Sequence, residues 1–506
     1  MTLLMGIDLG TSSLKVIVID ERGNPKALNE TGYRFTSPSN GFAEQDVQVW
    51  WEACRQGIGR TLEQLGSLAN RVEAIGFSGQ MHGAVFLDQA REQIRPAILH
   101  CDARSAKQTK LIEKTLGIDL IAELLMNPIY TGFLLPSLIW VRDNEPAKFE
   151  QIRHVMLPKD YIKMRLTGEI ISDFSDASAT LAFDIKNMCW AEQVLQKLDI
   201  SPDILPHCSE TMVPIGRVTE RAAQETGLKA GTLVVNGGGD QIMQAIGNGA
   251  VEPGMATVNI GSSGQVCYQC DRPIENSKLN TNTFCSFQPG RWITMGATMS
   301  AGLSLKWFNS LFGHVNYAKL NREVKQIRPG SQGLLFLPYL LGERTPHFNP
   351  NISGVFVGLT TETTRSQMAR SVMEGVAYSL KECLDVCTGL GLTATELIAS
   401  GGGAQSEPWL QLQADIYNLP LKVSAFEQQA GLGAAIVAGV GLGMYASVAE
   451  GCQQVVRYKE KIYSPDADNH GVYREYYHLF KETFHAMESV LERVTQLGRG
   501  ISLGNA

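Results

Sequence analysis

Asp240 follows three glycines in VVNGGGDQIM, residues 234–243, and opens a helical pattern. A carboxylate there can take the proton of a hydroxyl that attacks phosphorus. Phosphoryl transfer passes through a loose transition state, so the base need only orient the hydroxyl and accept its proton late. Asp8 ends the apolar run MTLLMGIDLG, at the root of the turn Gly10-Thr11-Ser12-Ser13, and Lys15 follows. Such a turn suits an anion, because glycine lets the backbone approach and successive amides form a nest. A carboxylate beside polyphosphate is repelled unless a cation lies between them. Mg2+ fits, since it takes few carboxylates and completes its shell with water and phosphate oxygens. Both acids also read as ordinary caps, Asp8 of a turn and Asp240 of a helix, and the sequence leaves the readings even. As a base, an ionised Asp240 of ordinary basicity is adequate.

Further polar groups sit at other strand ends. IGFSGQMHGAVFLD, residues 75–88, carries Gln80, Met81 and His82 at its tip. A polar, apolar, polar tip suits a polyol, with side chains on the hydroxyls and Met on the carbon skeleton; a solvated loop with an incidental His is the plainer reading. RPAILHCDARS, residues 95–105, adds Asp102 and Arg104, which read as an ion pair.

Elements must hold these groups together. The first hairpin runs MGIDLGTSSLKVIVID, and MATVNIGSSGQVCY, residues 255–268, repeats it with Gly261, Ser262 and Ser263 at the tip. The two tips together read as a grip on phosphates from both sides of a cleft. A second glycine run, IASGGGAQSE at 398–407, carries Gly402, Gly403 and Ala404, so the order is hairpin, GGG-helix, hairpin, GGG-helix. That predicts one architecture used twice, with GGGDQ and GGGAQ as counterparts. The Gly/Pro-rich GNGAVEPGMA, residues 247–256, marks the boundary, giving units 1–248 and 255–448. Strands and helices alternate throughout, which makes the class α/β. LGAAIVAGVGLGMYA, residues 432–446, predicts a buried helix, and the tail 449–506 an amphipathic helix packed on the second unit.

Composition excludes several classes. The 506 residues carry a net charge of −7, so no basic nucleic-acid footprint exists. No apolar stretch predicts a membrane span, and the start lacks the pattern of a signal peptide. The ten cysteines are scattered, and Cys267 with Cys270 has no second pair for zinc, so core thiols of a cytoplasmic protein are expected. No Gly-Lys dipeptide, HRD, DFG, G-x-S-x-G or HExxH appears, which removes Walker, protein-kinase, hydrolase-elbow and zincin chemistry.

Taken in order, GIDLGTSSLK, SGQMHG, LPKDYIKMRLTGE, SDFSDASAT, GGGDQ, PYLLGERTPHFNPNISGVFVGL and GGGAQSEPWLQLQAD resemble the FGGY carbohydrate kinases over nearly the whole chain. Within that family, the SGQMHG, LPKDY and SDFSD motifs are most similar to the xylulokinase branch. The resemblance implies two actin-like (ribonuclease H-like) ATPase domains around a cleft. It implies ATP and Mg2+, with transfer to the O5 hydroxyl of D-xylulose. It makes Asp240 the base and puts Asp8 near Mg2+ and the phosphates, with both acids bearing on the metal through water and ATP. Gly10, Thr11, Ser12, Ser13 and Lys15 form the first phosphate loop, and Gly261, Ser262 and Ser263 the second. Gln80, Met81, His82, Asp102 and Gln241 fall at the sugar, and Gly402, Gly403 and Ala404 beside adenosine. A homodimer follows from the resemblance alone. His100-Cys101 and Gln241 depart from the branch, which usually has Trp-Asn and Asn there. They keep another ketose or polyol substrate open (ribulose, L-xylulose, or a glycerol- or gluconate-like one). A non-catalytic nucleotide sensor or scaffold of the same fold is the rival from another class. Glu343 and Arg344 of PYLLGERTPH are expected as a structural ion pair at the interdomain wall.

Overall fold

The computed structural model describes residues 1–498. Its frame is two mixed sheets. The first is built from β1 (Leu3–Leu9), β2 (Ser13–Asp20), β3 (Pro25–Gly32), β4 (Val72–Gly79), β5 (Pro214–Arg217) and β6 (Leu233–Val235), in the order β5-β6-β4-β1-β2-β3, with the short strand Gly238–Gly239 also paired to β4. The second is built from β7 (Ala256–Ile260), β8 (Gly264–Cys270), β9 (Asn282–Cys285), β10 (Trp292–Thr298), β11 (Leu397–Ser400) and β12 (Leu421–Val423), in the order β9-β10-β8-β7-β11-β12. In each, an antiparallel hairpin is followed by strands parallel to its first member. This ribonuclease H-like order occurs twice, so the duplicated α/β architecture is present. β1 and β2 are near-continuous apolar runs because helices cover both faces of the sheet.

Strand order corrects the pairing of the glycine runs. GGGD follows β6, whose counterpart is β12, whereas GGGA follows β11, whose counterpart is β4. The structural equivalent of GGGAQ is therefore the SGQMH loop after β4. The counterpart of Asp8, which lies opposite Ser78, is Asn259, which lies opposite Ser400. Local similarity between two glycine runs had no way to report which strand each one follows.

Helices α1 (Val47–Leu65), α2 (Pro158–Thr167), α3 (Asp240–Gly247), α4 (Arg365–Gly389), α5 (Glu407–Tyr417), α6 (Gln429–Gly441) and α7 (Ala467–Gly498) complete the frame. The predicted buried helix is α6, but it lies on the first sheet: a Cβ on Gly6 would come within 2.0 Å of the Gly431 carbonyl, and one on Gly76 within 2.0 Å of that of Ala434. α6 also crosses α3 at glycine, since a Cβ on Gly433 would stand 1.9 Å from the Met243 oxygen. One apolar core thus joins both halves: Leu4, Ile17 and Ile246 of the first, Cys267, Ile293 and Met295 of the second, and Leu432, Ile436 and Val437 of α6 belong to it. α7 sends Tyr473, Phe480 and Phe484 into the core of the second half.

Candidate active site

A cleft of about 1300 Å³ opens between the halves. Thr11 of the first hairpin and Ser263 of the second line it together with Asp240 and Gln241. The two hairpin tips therefore face one space. Ser12 and Ser262 are exposed at those tips, and the turns are closed by Gly10 N–H to the Ser13 carbonyl at 2.9 Å and Gly261 N–H to the Ser263 carbonyl at 3.0 Å.

Asp8 and Asp240 are brought close by strand register. Asp8 of β1 lies opposite Ser78 of β4, and Ser78 lies opposite Gly238, two residues before Asp240. Adjacent strands are about 4.8 Å apart, so the two acids stand across little more than two strand spacings. Ser78 Oγ donates to Asp8 Oδ1 at 2.7 Å. Burial pushes the Asp8 carboxyl up from its ordinary value, against the pull of Ser78 and Lys15, its cross-strand partner. Burial, then the charge of Asp8, push Asp240 up to about 7. Asp240 therefore departs from the ordinary basicity expected from its helix-start position alone. Desolvation outweighs the helix dipole there.

Asp240 is presented by a tightly fitted backbone. Gly237 has φ +74°, and a Cβ on it would sit 2.1 Å from the Phe77 carbonyl. A Cβ on Gly239 would meet Met81 Cγ and Sδ at 2.8 Å. The glycines thus let the loop lie against β4 and the SGQMH turn. Gln241 Nε2 donates to Asp240 Oδ1 at 3.3 Å.

Gln80, Met81 and His82 of the SGQMH turn all reach the cleft. Gln80 ties the loop to the first hairpin, accepting from Thr11 Oγ1 at 3.2 Å and donating to the Gly10 carbonyl at 3.4 Å. Met81 is buried. His82 stacks on Phe133 with ring centres 3.8 Å apart, and its Nδ1 donates to the Ala179 carbonyl at 2.8 Å. Burial pushes its imidazole down to about 3, so it is neutral at pH 7 and Nε2 is left as an acceptor. Asp102 lines the cleft but is fully engaged: Arg104 Nε and Nη2 reach it at 2.8–3.0 Å, and the Ala43 N–H at 2.6 Å. The predicted ion pair with Arg104 is therefore present.

Three placements differ from expectation or go beyond it. Glu343 and Arg344 are not an ion pair through their side chains. The Glu343 carboxylate accepts the Met299 and Arg344 N–H groups, each at 2.7 Å, and Ser379 Oγ at 3.2 Å, and burial pushes it up to about 8. The Arg344 guanidinium instead lies over the Tyr130 ring at 5.6 Å. At the second glycine run, Gly402 is exposed while Gly403 and Ala404 are buried, Gly403 against Ile260. None of the three lines the main cleft. Finally, the LPKDY and SDFSD motifs hold a fully buried ion cluster that sequence reasoning assigned no role. Lys159 Nζ reaches Asp160, Asp173 and Asp176 at 2.6–2.9 Å, and Lys163 reaches Asp160 at 2.7 Å. The cluster backs the GGGD loop, because Ser175, hydrogen-bonded to Asp173, accepts the Gly239 N–H. The hint was Lys at 159 and 163, one turn apart on a helix, which ordinarily reads as a solvated face.

Among the described residues no cluster of three or more His, Cys, Asp or Glu side chains forms a cation cage. The Asp8–Asp240 pair fits a cation that brings most of its own oxygen ligands, as Mg2+ does. Two buried carboxylates, one raised further by the charge of the other, are the donor set such an ion relieves. No helix among the described residues is long and apolar enough to cross a membrane.

Comparison with known proteins agrees with this geometry. The model of the "FGGY family of carbohydrate kinases, N-terminal domain" matches residues 3–247, and that of the C-terminal domain residues 256–442. The chain is 36% identical to a xylulose kinase of Lactococcus lactis over 96% of its own length and 97% of the relative's. It is 36% identical to one of Escherichia coli K12, covering 95% of this chain and 98% of that one. A xyloylose kinase structure from Brucella ovis superposes with TM-score 0.90 at 32% identity, covering 96% of this chain and 100% of that one. Both halves and nearly the full length are thus shared, and the chain belongs to the FGGY family of carbohydrate kinases.

Proposed function

We propose that the enzyme transfers the γ-phosphate of ATP to the O5 hydroxyl of D-xylulose, with Asp240 as general base and Mg2+ as cofactor. The observation that carries this is the position of Asp240. It opens onto the cleft between the two hairpin tips, beside Met81 and Gln241, with a carboxyl raised to about 7. A base with that value can accept a proton near neutral pH while still holding it firmly in the transition state.

In this reading, residues 1–248 hold the sugar and residues 255–448 the nucleotide. Met81 packs on the carbon skeleton, and His82 Nε2 and Gln241 orient hydroxyls. The sugar oxygen attacks the γ-phosphorus, its proton passes to Asp240, and the bond from phosphorus to the β,γ-bridging oxygen breaks to release ADP. The amides and hydroxyls of Gly10 to Ser13 and Gly261 to Ser263 hold the phosphates from opposite sides. Lys15 adds positive charge beside Asp8. Adenosine lies along the exposed edge of the turn at Gly402, which Gly403 and Ala404 anchor to the core. Mg2+, when bound near Asp8 and Asp240, supplies charge neutralisation for the phosphates. Closure of the halves excludes water, which otherwise competes as acceptor. A cytoplasmic location suits the ten free thiols. A homodimer belongs to the same reading, and sedimentation checks it.

The test is an ADP-release assay with MgATP across pentuloses, hexuloses and polyols. The reading expects the highest kcat/KM for D-xylulose and none of that turnover without a sugar. A higher kcat/KM for another sugar would replace the substrate and keep the chemistry. ATP binding with no turnover on any of them would favour a nucleotide sensor instead.

A further inference from the structure

The cleft is lined by a further charged residue, Arg344, that the phosphoryl chemistry does not use. Arg344 arrives there from the second half. Its charge bears on His82, His100 and Tyr130 of the first half, whereas the charge that bears on Asp240 is that of Asp8. The Arg344 guanidinium lies over the Tyr130 ring at 5.6 Å, and both residues line the same cleft as Asp240.

Neither nearby acid satisfies Arg344. Glu343 spends its carboxylate on two backbone N–H groups and Ser379, and Asp102 is held by Arg104. Two more groups of this cleft lack partners. Tyr130 Oη and His100 Nδ1 are buried and unbonded, and both residues line the cleft. Burial, then Arg344, push His100 down to about 4, so it stands as a neutral ring. Buried polar groups without partners are rare in native folds, and several converging on one cavity mark a ligand.

The missing partner must accept hydrogen bonds. Arg presents only donors in a planar fork, and a tyrosine hydroxyl can add one more. An sp² oxygen, with two lone pairs and no hydrogen of its own, matches that fork better than a hydroxyl does. We propose that Arg344, Tyr130 and His100 form a subsite for the carbonyl oxygen of a 2-ketose, and that it selects ketoses over polyols. This rests on the sugar-kinase reading above, in which a sugar with its terminal hydroxyl at Asp240 extends its carbonyl into the same cleft that Arg344, Tyr130 and His100 line.

The test uses three five-carbon ligands: D-xylulose, xylitol, which lacks the carbonyl, and D-xylonate, which carries a carboxylate. Turnover with MgATP and calorimetric binding are both measured for the wild type, Arg344→Met and Tyr130→Phe. Tyr130→Phe removes a hydroxyl that has no partner in the protein, so folding is spared. The proposal expects Arg344→Met to cut the D-xylulose to xylitol preference by about 10- to 100-fold, in both kcat/KM and binding. Tyr130→Phe moves it the same way by less. Turnover reports on the kinase reading, while the binding ratio reports on the subsite, so the two can fail separately. A ketose preference in binding that stays within about threefold in both variants overturns the proposal. So does an Arg344→Met variant that loses D-xylonate binding alone, which would make the subsite one for sugar acids.

Discussion

Ser175 Oγ accepts the N–H of Gly239 at 3.0 Å, and Gly239 is the residue immediately before Asp240. The same hydroxyl donates to Asp173, which is paired with Lys159 at 2.6 Å. A buried charge cluster thus fixes the backbone that presents the base. Such clusters add little net stability, but removing one member leaves an uncompensated charge. Here it sets a position. Ser175→Ala is expected to lower kcat by about 10- to 100-fold, because small misplacements of a catalytic group are costly. KM for ATP should stay within about twofold, since the phosphate loops are untouched. Steady-state kinetics in both substrates check this.

The pH dependence follows from Asp240. Its folded-state value, about 7, lies above the ordinary 3.8, so the base is protonated as pH falls below 7. kcat/KM should fall tenfold per pH unit below the apparent value, which bound Mg2+ moves downward. Stability has the opposite sign. A raised carboxyl opposes folding once ionised, so this cost is absent below pH 3.8 and complete above pH 7. Asp240→Asn should therefore be more stable than the wild type at pH 8, by about 1–3 kcal/mol after discounting for the open cleft. Without Mg2+, the two should converge at pH 4 in thermal melts.

His82 should stay neutral from pH 5 to 9, because burial holds its value near 3. Nitrogen NMR should show Nδ1 protonated toward Ala179 and Nε2 bare. His82→Phe keeps the stack on Phe133 and removes the acceptor. KM for the sugar should rise about tenfold while KM for ATP stays fixed.

The joint between the halves depends on glycine. A Cβ on Gly433 would stand 1.9 Å from the Met243 oxygen, and one on Gly247 1.8 Å from that of Gln429. Both obstacles are backbone, so neither can swing aside. Gly433→Ala and Gly247→Ala should each destabilise the fold by about 3 kcal/mol. Gly59 in α1 has nothing within 4 Å of its Cβ position, so Gly59→Ala should stabilise by about 0.5–1 kcal/mol. Chemical denaturation of the three variants checks the contrast.

What the sequence made legible was local. The hairpins, their hydroxyl tips and the helix that Asp240 opens are written in runs of about ten residues, where periodicity and turn chemistry suffice. What it hid was non-local. GGGDQ and GGGAQ look alike, yet they follow strands of different rank, and only the hydrogen-bonded order reveals it. Lys159 and Lys163 look like a solvated helix face until Asp173 and Asp176 arrive from another segment. The Glu343–Arg344 pair looked self-contained. Its acid found backbone amides and its base found Tyr130, more than 200 residues away in the chain. The basicity of Asp240 was equally hidden, because it comes from burial and from Asp8, not from its neighbours in sequence.

The most direct test of the account is single-turnover phosphorylation of D-xylulose by Asp240→Asn with MgATP, alongside calorimetric binding of both substrates. The substitution keeps the shape and removes the proton acceptor. The account predicts a loss of about 100- to 10,000-fold in the phosphorylation rate, with each Kd within about threefold of the wild type. A variant that phosphorylates the sugar at close to the wild-type rate would contradict it.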